Sequence, residues 1–404
     1  MLLSLFLLML APGVAQQTTP NNVAAGLPAA IQLAESGQNA EALAALQKIT
    51  AANPNDHLAR LWIAQVHDRM GHPDLAEAVY HSIVLEDPRS LDALVGLGMT
   101  LLEQDQVDAA IDALERAEQL AAQNPVVLTS LGEAYRRAGR TERSMAYFQR
   151  AAAVSPSPTR VLALEQARRE HGHRFESQTY DEQFNGVTPD TRGTDLAVNF
   201  RVSETLRVVG RDQFQSKFGR KENRAGGGVQ WRGNPSTTLK GQALVGTGNQ
   251  VLPQGDYLGQ IDYTYHRATW TGAVRYFDFF GASVVMLSPA VTVTPSSRWT
   301  FGLLYAMTST DTTALTGIRG NTLHLRAAHE IRPRVWLHGA YMRGVENFEN
   351  FSSDRIGAFQ ANTGTAAVQI LLPTLTSIVG GYEYQRRANG VTMGRFNIGL
   401  VQSF

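Results

Sequence analysis

Apolar positions along the chain change their period once. From about Ala24 to about Glu170 they recur every three or four residues, the spacing of one helix face. After His171-Gly-His173 they fall on every second residue, the spacing of one strand face. In residues 256–266, Tyr257, Gly259, Ile261, Tyr263 and Tyr265 share one side, against Gln260, Asp262, Thr264 and His266 on the other. In residues 269–276, Trp270, Gly272, Val274 and Tyr276 oppose Thr271, Ala273 and Arg275. The pattern predicts a two-part chain: all-α helix hairpins, then an antiparallel sheet of long alternating strands.

The helical half repeats itself. Gly37 and Gly71 lie 34 residues apart, as do Pro54 and Pro88, and Gly98 and Gly132. That is the tetratricopeptide period. Leu128, Leu131, Gly132, Tyr135, Gly139, Ser144, Phe148, Ala151 and Pro156 supply large, small and aromatic residues where that repeat wants them. The unit before it supplies Leu94, Leu97, Gly98, Leu101, Ala110, Leu114 and Ala117, and earlier units are sparser. Small residues let paired helices approach, and large ones fill the gap; one hairpin cannot bury its face alone, so several must stack. Residues 24–170 therefore resemble a tetratricopeptide (TPR) solenoid. Its packing positions are Leu94, Gly98, Leu128, Gly132, Tyr135, Phe148 and Pro156, and residues 158–170 form its closing helix. Such arrays dock a protein partner on a concave face, expected here from Leu58, Leu61, Asp68, Met99, Leu102, Val126, Glu133 and Arg136. No single-sign clamp stands out among these, and the bland alternative is a spacer or assembly scaffold.

Strand length and turn spacing define the second half, residues 174–404. Segments of about ten residues with one apolar and one polar face mark a transmembrane barrel, whereas soluble strands run nearer 5–6. Short turns are expected near Ser203, Gly233-Asn-Pro235, Arg267-Ala268, Pro295-Ser-Ser297, Arg332-Pro333 and Pro373. Longer connections are expected at 185–193, 216–221, 246–255, 278–282, 308–317 and 344–354. That alternation suits short periplasmic turns and longer outer loops, with a tight final hairpin at Ala388-Asn-Gly390 as the departure. The count is about fourteen strands, or twelve if the first or the Gly-rich fourth segment drops out. Trp231, Tyr257, Trp270, Phe277, Phe279, Phe280, Trp299, Trp336 and Tyr341 are placed for an aromatic girdle. In the last strand Phe396, Ile398, Leu400, Gln402 and Phe404 face outward, against Arg395, Asn397, Gly399, Val401 and Ser403. Phe404 is then the carboxy-terminal assembly signal that the barrel assembly machinery reads.

Composition narrows the setting. The 36 basic and 36 acidic residues cancel, so charge names no nucleic-acid partner. With no cysteine, disulfides, Cys-bearing zinc sites and a lipid anchor on Cys are excluded. Residues 2–10 are apolar and too short for a membrane helix of about 20 residues. They suit a signal peptide spanning 1–15, with Gly13 and Ala15 at the cleavage positions, although no Lys or Arg precedes them. The expected location is the cell outer membrane, with the repeats in the periplasm.

Candidate chemistry is sparse. No Gly-x-Ser-x-Gly occurs, and His324, His329 and His338 share no local pattern with a Ser and an acid. His171 and His173 alone do not make a metal site. No catalytic residue, cofactor or metal is assigned. Arg207, Arg211, Lys240, Asp262, Arg275, Arg326 and Glu383 are candidates for the barrel lumen, as an ion-paired filling or a selective polar channel.

Gly210-Arg-Asp-Gln-Phe214, Phe218-Gly219 and Gly344-Val-Glu-Asn-Phe-Glu-Asn-Phe-Ser-Ser-Asp-Arg-Ile-Gly-Ala-Phe359 resemble the YaiO family of outer-membrane barrels. The order of repeats then barrel is also similar to the larger secretion porins for cellulose and poly-N-acetylglucosamine. The resemblance implies a non-enzymatic barrel in contact with outer-membrane lipid, whose TPR face docks an unknown periplasmic protein for surface polysaccharide export or envelope assembly. The alternative is a barrel enzyme acting on lipid or glycan.

Overall fold

A computed structural model describes residues 26–185, 190–313, 315–344, 360–388 and 390–404. The expected signal peptide at 1–15, residues 345–359 of the YaiO-like motif and Asn389 of the last hairpin lie outside them. Among the described residues the chain forms nine helices and then fourteen strands, and it divides between Gln106 and Val107 into two compact units. The first unit holds α1 (Leu27–Glu35), α2 (Asn39–Ala52), α3 (His57–Arg69), α4 (Pro73–Glu86) and α5 (Leu91–Glu103). The second begins with α6 (Val107–Leu120), α7 (Pro125–Arg137), α8 (Thr141–Val154) and α9 (Pro158–His171).

Local chemistry sets the helix ends. Asp56 accepts a hydrogen bond from the Ala59 amide (3.0 Å) and Asn124 from the Val126 amide (2.9 Å), each satisfying a first-turn donor. Pro73, Pro125 and Pro158 start their helices, where a missing N–H removes no bond. The turns inside hairpins close on a left-handed residue: Gly37, Gly71 and Gly139 (φ 82°, 77° and 74°), and Asp105 (φ 64°). These four positions share one 34-residue spacing, so Asp105 stands where the other repeats have glycine.

Small residues close the helix pairs, as the repeat requires. Ala30, Ala34, Ala42, Leu46, Ala59, Ile63 and Val66 form the core of the first unit. Leu94 and Gly98 are buried on α5, and the Tyr80 ring of α4 lies against Gly96, a small position the repeat pattern did not mark. In the second unit a Cβ on Gly132 would come within 2.8 Å of the Phe148 ring, with Leu128 and Tyr135 buried on the same helix. Pro156 stands in the link between α8 and α9.

The strands are β1 (Arg174–Phe184), β2 (Thr191–Arg201), β3 (Leu206–Lys217), β4 (Arg220–Asn234), β5 (Thr237–Val245), β6 (Gly255–Tyr265) and β7 (Ala268–Phe279). They continue as β8 (Ala282–Ser296), β9 (Trp299–Thr312), β10 (Ile318–Arg332), β11 (Val335–Gly344), β12 (Ala361–Leu371), β13 (Thr376–Arg387) and β14 (Thr392–Ser403). Each pairs antiparallel with its sequence neighbours, and β1 pairs with β14 to close the barrel. The Gly-rich β4 is paired on both sides, so the count is fourteen and not twelve. The sheet is inverted relative to a water-soluble protein. Trp270, Phe301, Leu303 and Ile398 are exposed on the outside, while Glu182, Arg224, Asp256 and Gln385 inside are at most 1% exposed.

Two expectations change. The connections at 216–221 and 278–282 are not long loops, because pairing continues to Lys217–Arg220 and Phe279–Ala282. Phe218 and Gly219 both have positive φ (53° and 75°), the conformation that a two-residue hairpin between twisted strands needs. Phe277, Phe279 and Trp336 do not join an outer girdle either. The register puts all three on the inward face, where Phe277 and Phe279 pack with Val284.

Candidate functional site

Alternation and register place Arg207, Arg211, Lys240, Asp262, Arg275, Arg326 and Glu383 on the inward face. Lys240 reaches Asp262 at 2.8 Å, and Asp262 also accepts from Thr271 (2.7 Å) and Gln260 (2.8 Å). Arg211 pairs with Asp195 at 2.5 Å, Arg275 with Asp256 at 2.6 Å, and Asp256 also takes Arg224 at 3.0 Å. Arg326 donates to the Thr292 hydroxyl at 2.7 Å. Glu383 lies 3.3 Å from Arg395, whose guanidinium also binds Glu182.

Away from α9, every strand supplies a buried inward residue, from Glu182 on β1 through Leu244 on β5 and Thr322 on β10 to Arg395 on β14. The connection between β5 and β6 folds over the same end. Glu222 accepts hydrogen bonds from the amides of Gln250 (2.8 Å), Val251 (3.0 Å) and Leu252 (2.7 Å), and Val251 and Leu252 are buried. At this end the described strands thus carry a layer of buried inward side chains. Burying Glu182, Arg224, Asp256 and Arg395 is tolerable because each meets an opposite charge, since an uncompensated ion costs several kcal/mol. Glu182, Asp195, Arg224 and Asp256 escaped the sequence reading. Their side-chain parity was legible, but their partners sit on other strands.

At the opposite end the barrel holds α9. Arg207 leaves the lumen and donates to the carbonyls of Gly172 (3.1 Å) and Glu170, and Arg201 donates to the Glu170 carbonyl (3.4 Å) and the Thr141 hydroxyl. Both arginines thus satisfy carbonyls at the helix end, where positive charge is favoured. Glu165 binds Arg334 in the β10–β11 turn at 2.7 Å, and Arg169 donates to the Leu372 carbonyl in the β12–β13 turn at 3.2 Å. His173 and Phe404 exchange backbone hydrogen bonds at 2.9 and 3.0 Å across the β14–β1 seam. The anchors follow a continuous arc of the rim.

The histidines do not converge. His173 Nδ1 accepts from the Arg201 amide at 3.0 Å. His324 and His338 face inward, the latter 3.0 Å from Gln369, while His329 faces outward and stacks on Trp299. Among the described residues no group of three His, Asp or Glu side chains is placed to hold a metal ion.

Of the positions expected to dock a partner, Leu58 and Met99 in the first unit are exposed (49% and 51%) but Leu61 and Leu102 are buried; in the second unit Val126 is exposed (48%). Asp68 accepts from the Thr100 hydroxyl at 3.0 Å; burial raises its carboxyl to about 6 against the opposing effect of that bond. Glu133 pairs with Arg136 at 2.7 Å and with Arg137 at 3.2 Å.

The tetratricopeptide repeat family model matches residues 33–98 and 101–167. These segments are TPR repeats. Among curated proteins, human Protein O-mannosyl-transferase TMTC1 is 25% identical over 181 residues, covering 43% of this chain. The mouse counterpart is 26% identical over 144 residues, covering 34%. The chain spans only 20% and 15% of the lengths of these relatives. Among solved structures, a thermophilic TPR protein of Thermus thermophilus is 21% identical with a TM-score of 0.34, covering 36% of this chain and 81% of its own. Pseudomonas aeruginosa pilF is 22% identical with a TM-score of 0.34, covering 36% of this chain and 67% of its own.

Proposed function

We propose that the chain is a non-enzymatic outer-membrane β-barrel that anchors a periplasmic TPR docking array for envelope assembly or surface polysaccharide export. The observation that carries the reading is the clamp between α9 and the barrel rim, where Arg201, Arg207 and Arg334 hold the closing helix. A fixed joint of this kind suits a scaffold that presents repeats at a surface. The exposed Trp, Phe and Leu side chains of the outer wall support the membrane setting, because water would face a large apolar area that lipid covers. The layer of buried, ion-paired inward side chains away from α9 favours docking to an export or assembly partner over an open conduit for polymer. Within the YaiO-like motif, Arg211 binds Asp195 in the lumen and Phe214 faces outward, which fits a barrel-wall role for that segment.

Two measurements test this. Unboiled protein should migrate differently from boiled protein in a detergent gel and fractionate with membranes; identical migration with soluble fractionation would overturn the membrane setting. Photocrosslinkers placed at Leu58, Met99 and Val126 in cells should trap a periplasmic protein. Adducts that form equally from the opposite helix faces would remove the docking role.

A further inference from the structure

Among the described residues, two of the troughs on the outer wall differ in chemistry. The one across β8–β11, about 530 Å³, has Ala327 and Gly339 in its floor between Phe301, Leu325 and Tyr341. Acyl chains fill such a groove without leaving any polar group unmatched. The other, about 850 Å³, crosses the barrel seam from β14 to β4. Its apolar ridges are Phe396 and Ile398 on β14 and Phe214 on β3. Its floor is Thr179 and Thr194, whose hydroxyl oxygens lie 3.3 Å apart.

The register fixes what lies beside that floor. Thr179 is opposite Ile398 and Thr194, and Thr194 is opposite Phe214. One row further from α9, Asp181 is opposite Phe396 and Arg192, Arg192 is opposite Ser216, and Ser216 is opposite Lys221. Arg192 binds Asp181 at 2.7 Å and feels Asp190, yet its side chain is 79% exposed; Lys221 is exposed as well, while Glu222 in the same lining is taken up by the Gln250, Val251 and Leu252 amides. The two cations stand on strands two apart, a span of about 10 Å.

Hydrocarbon alone cannot fill this second trough. It would leave one of the two threonine O–H groups without an acceptor and strip water from the Arg192–Asp181 pair, which is costly for both. The occupant therefore needs an apolar chain for the ridges, hydroxyls for the threonines and Asp181, and negative charge for Arg192 and Lys221. Phosphate meets the last demand, because guanidinium and ammonium groups both bind it through charge-assisted hydrogen bonds. We propose that this seam trough binds a phosphorylated glycolipid of the surrounding leaflet. Its acyl chain lies along Phe214, Phe396 and Ile398, its sugar hydroxyls meet Thr179, Thr194 and Asp181, and its phosphate sits between Arg192 and Lys221. The site rests on the membrane setting proposed above.

The test uses the full chain folded in detergent, with heat-dependent migration confirming the barrel. Native mass spectrometry then measures retention of a synthetic acylated, phosphorylated disaccharide, of its dephosphorylated form, and of phosphatidylglycerol. The phosphorylated disaccharide should be retained at least tenfold better than either comparator. Arg192→Gln with Lys221→Gln should abolish the difference, whereas Ala327→Leu in the apolar trough should leave it intact. Equal retention of all three lipids, or undiminished preference in the double variant, would overturn the site. So would a dimer that the same double variant disperses, because a second copy would then fill the trough. A chain that shows no heat-dependent migration and does not enter vesicles would instead overturn the membrane setting itself.

Discussion

Asp68 binds a proton in the folded chain more readily than in the unfolded one. Its carboxyl is raised from 3.8 to about 6, chiefly by burial. The protonated form is therefore favoured by folding, and this group adds stability as pH falls through about 6, in full only below 3.8. Far-UV circular dichroism should show the helices melting at higher temperature near pH ~5 than near pH ~7.5. Asp68→Asn should raise the melting temperature at the higher pH and flatten the difference; an unchanged pH profile would remove Asp68 as its source. Inside the barrel the stakes are larger. Arg395→Ala leaves Glu182 and Glu383, 1% and 6% exposed, without the cation they share. Losing one partner of a buried ion network costs about 3–5 kcal/mol, which the urea midpoint of the detergent-folded barrel should register. Arg395 was legible as an inward residue from the alternation of the last strand. Its pairing with Glu182 was not legible, because the two lie 213 positions apart and spacing carries no information about the strand across the seam.

Helix and strand periods were legible because each element buries one face, and their ends were legible where Gly or Pro marks them. The exceptions have local causes. Asp105 adopts the left-handed turn that Gly37, Gly71 and Gly139 adopt, so a search for glycine passes over it. Aspartate tolerates that region better than most residues but still carries a Cβ, so Asp105→Gly should stabilise the repeats by about 0.5–1 kcal/mol in thermal unfolding. A loss of stability would mean that the Asp105 side chain matters more than its backbone. The connection expected at 216–221 was read as too long: neither flank of Phe218-Gly219 is turn-like, and only the paired strands show how tight the hairpin is. The hold on α9 was invisible because it is made by arginines from other elements to backbone carbonyls. Arg201→Ala with Arg207→Ala should speed hydrogen exchange in the last turn of α9 at least tenfold, or about 1.4 kcal/mol, while heat-dependent migration stays unchanged. Unchanged exchange would show that Glu165–Arg334 and Arg169 suffice to hold the helix.

The order of helical repeats followed by a closed barrel could be read from a single change of period, since a half-apolar strand of this length must find two neighbours or remain an edge. Whether the lumen is open could not. Charged inward residues are compatible with a water-filled channel or with a filled core, and only the register decides which charges meet. Here they meet. Arg224, the largest fully buried side chain among the described residues, binds Asp256 and Gln213, and Glu222 pins the β5–β6 connection over the same end. Both devices belong to β4, the Gly-rich strand that was one of the two doubtful segments in the count. The proposed membrane setting turns this into an electrical prediction. The wild-type protein, reconstituted in a planar bilayer, should pass little current. Glu222→Ala should release the connection and produce brief openings, and Glu222→Ala with Arg224→Ala should lengthen them, because the second change removes side-chain volume from the layer beneath. Stable large conductance from the wild type would contradict a filled lumen and return polymer passage to consideration. A silent double variant that still shows heat-dependent migration would place the barrier in other side chains of the layer, with Arg395, Glu182 and Lys217 as the next to remove.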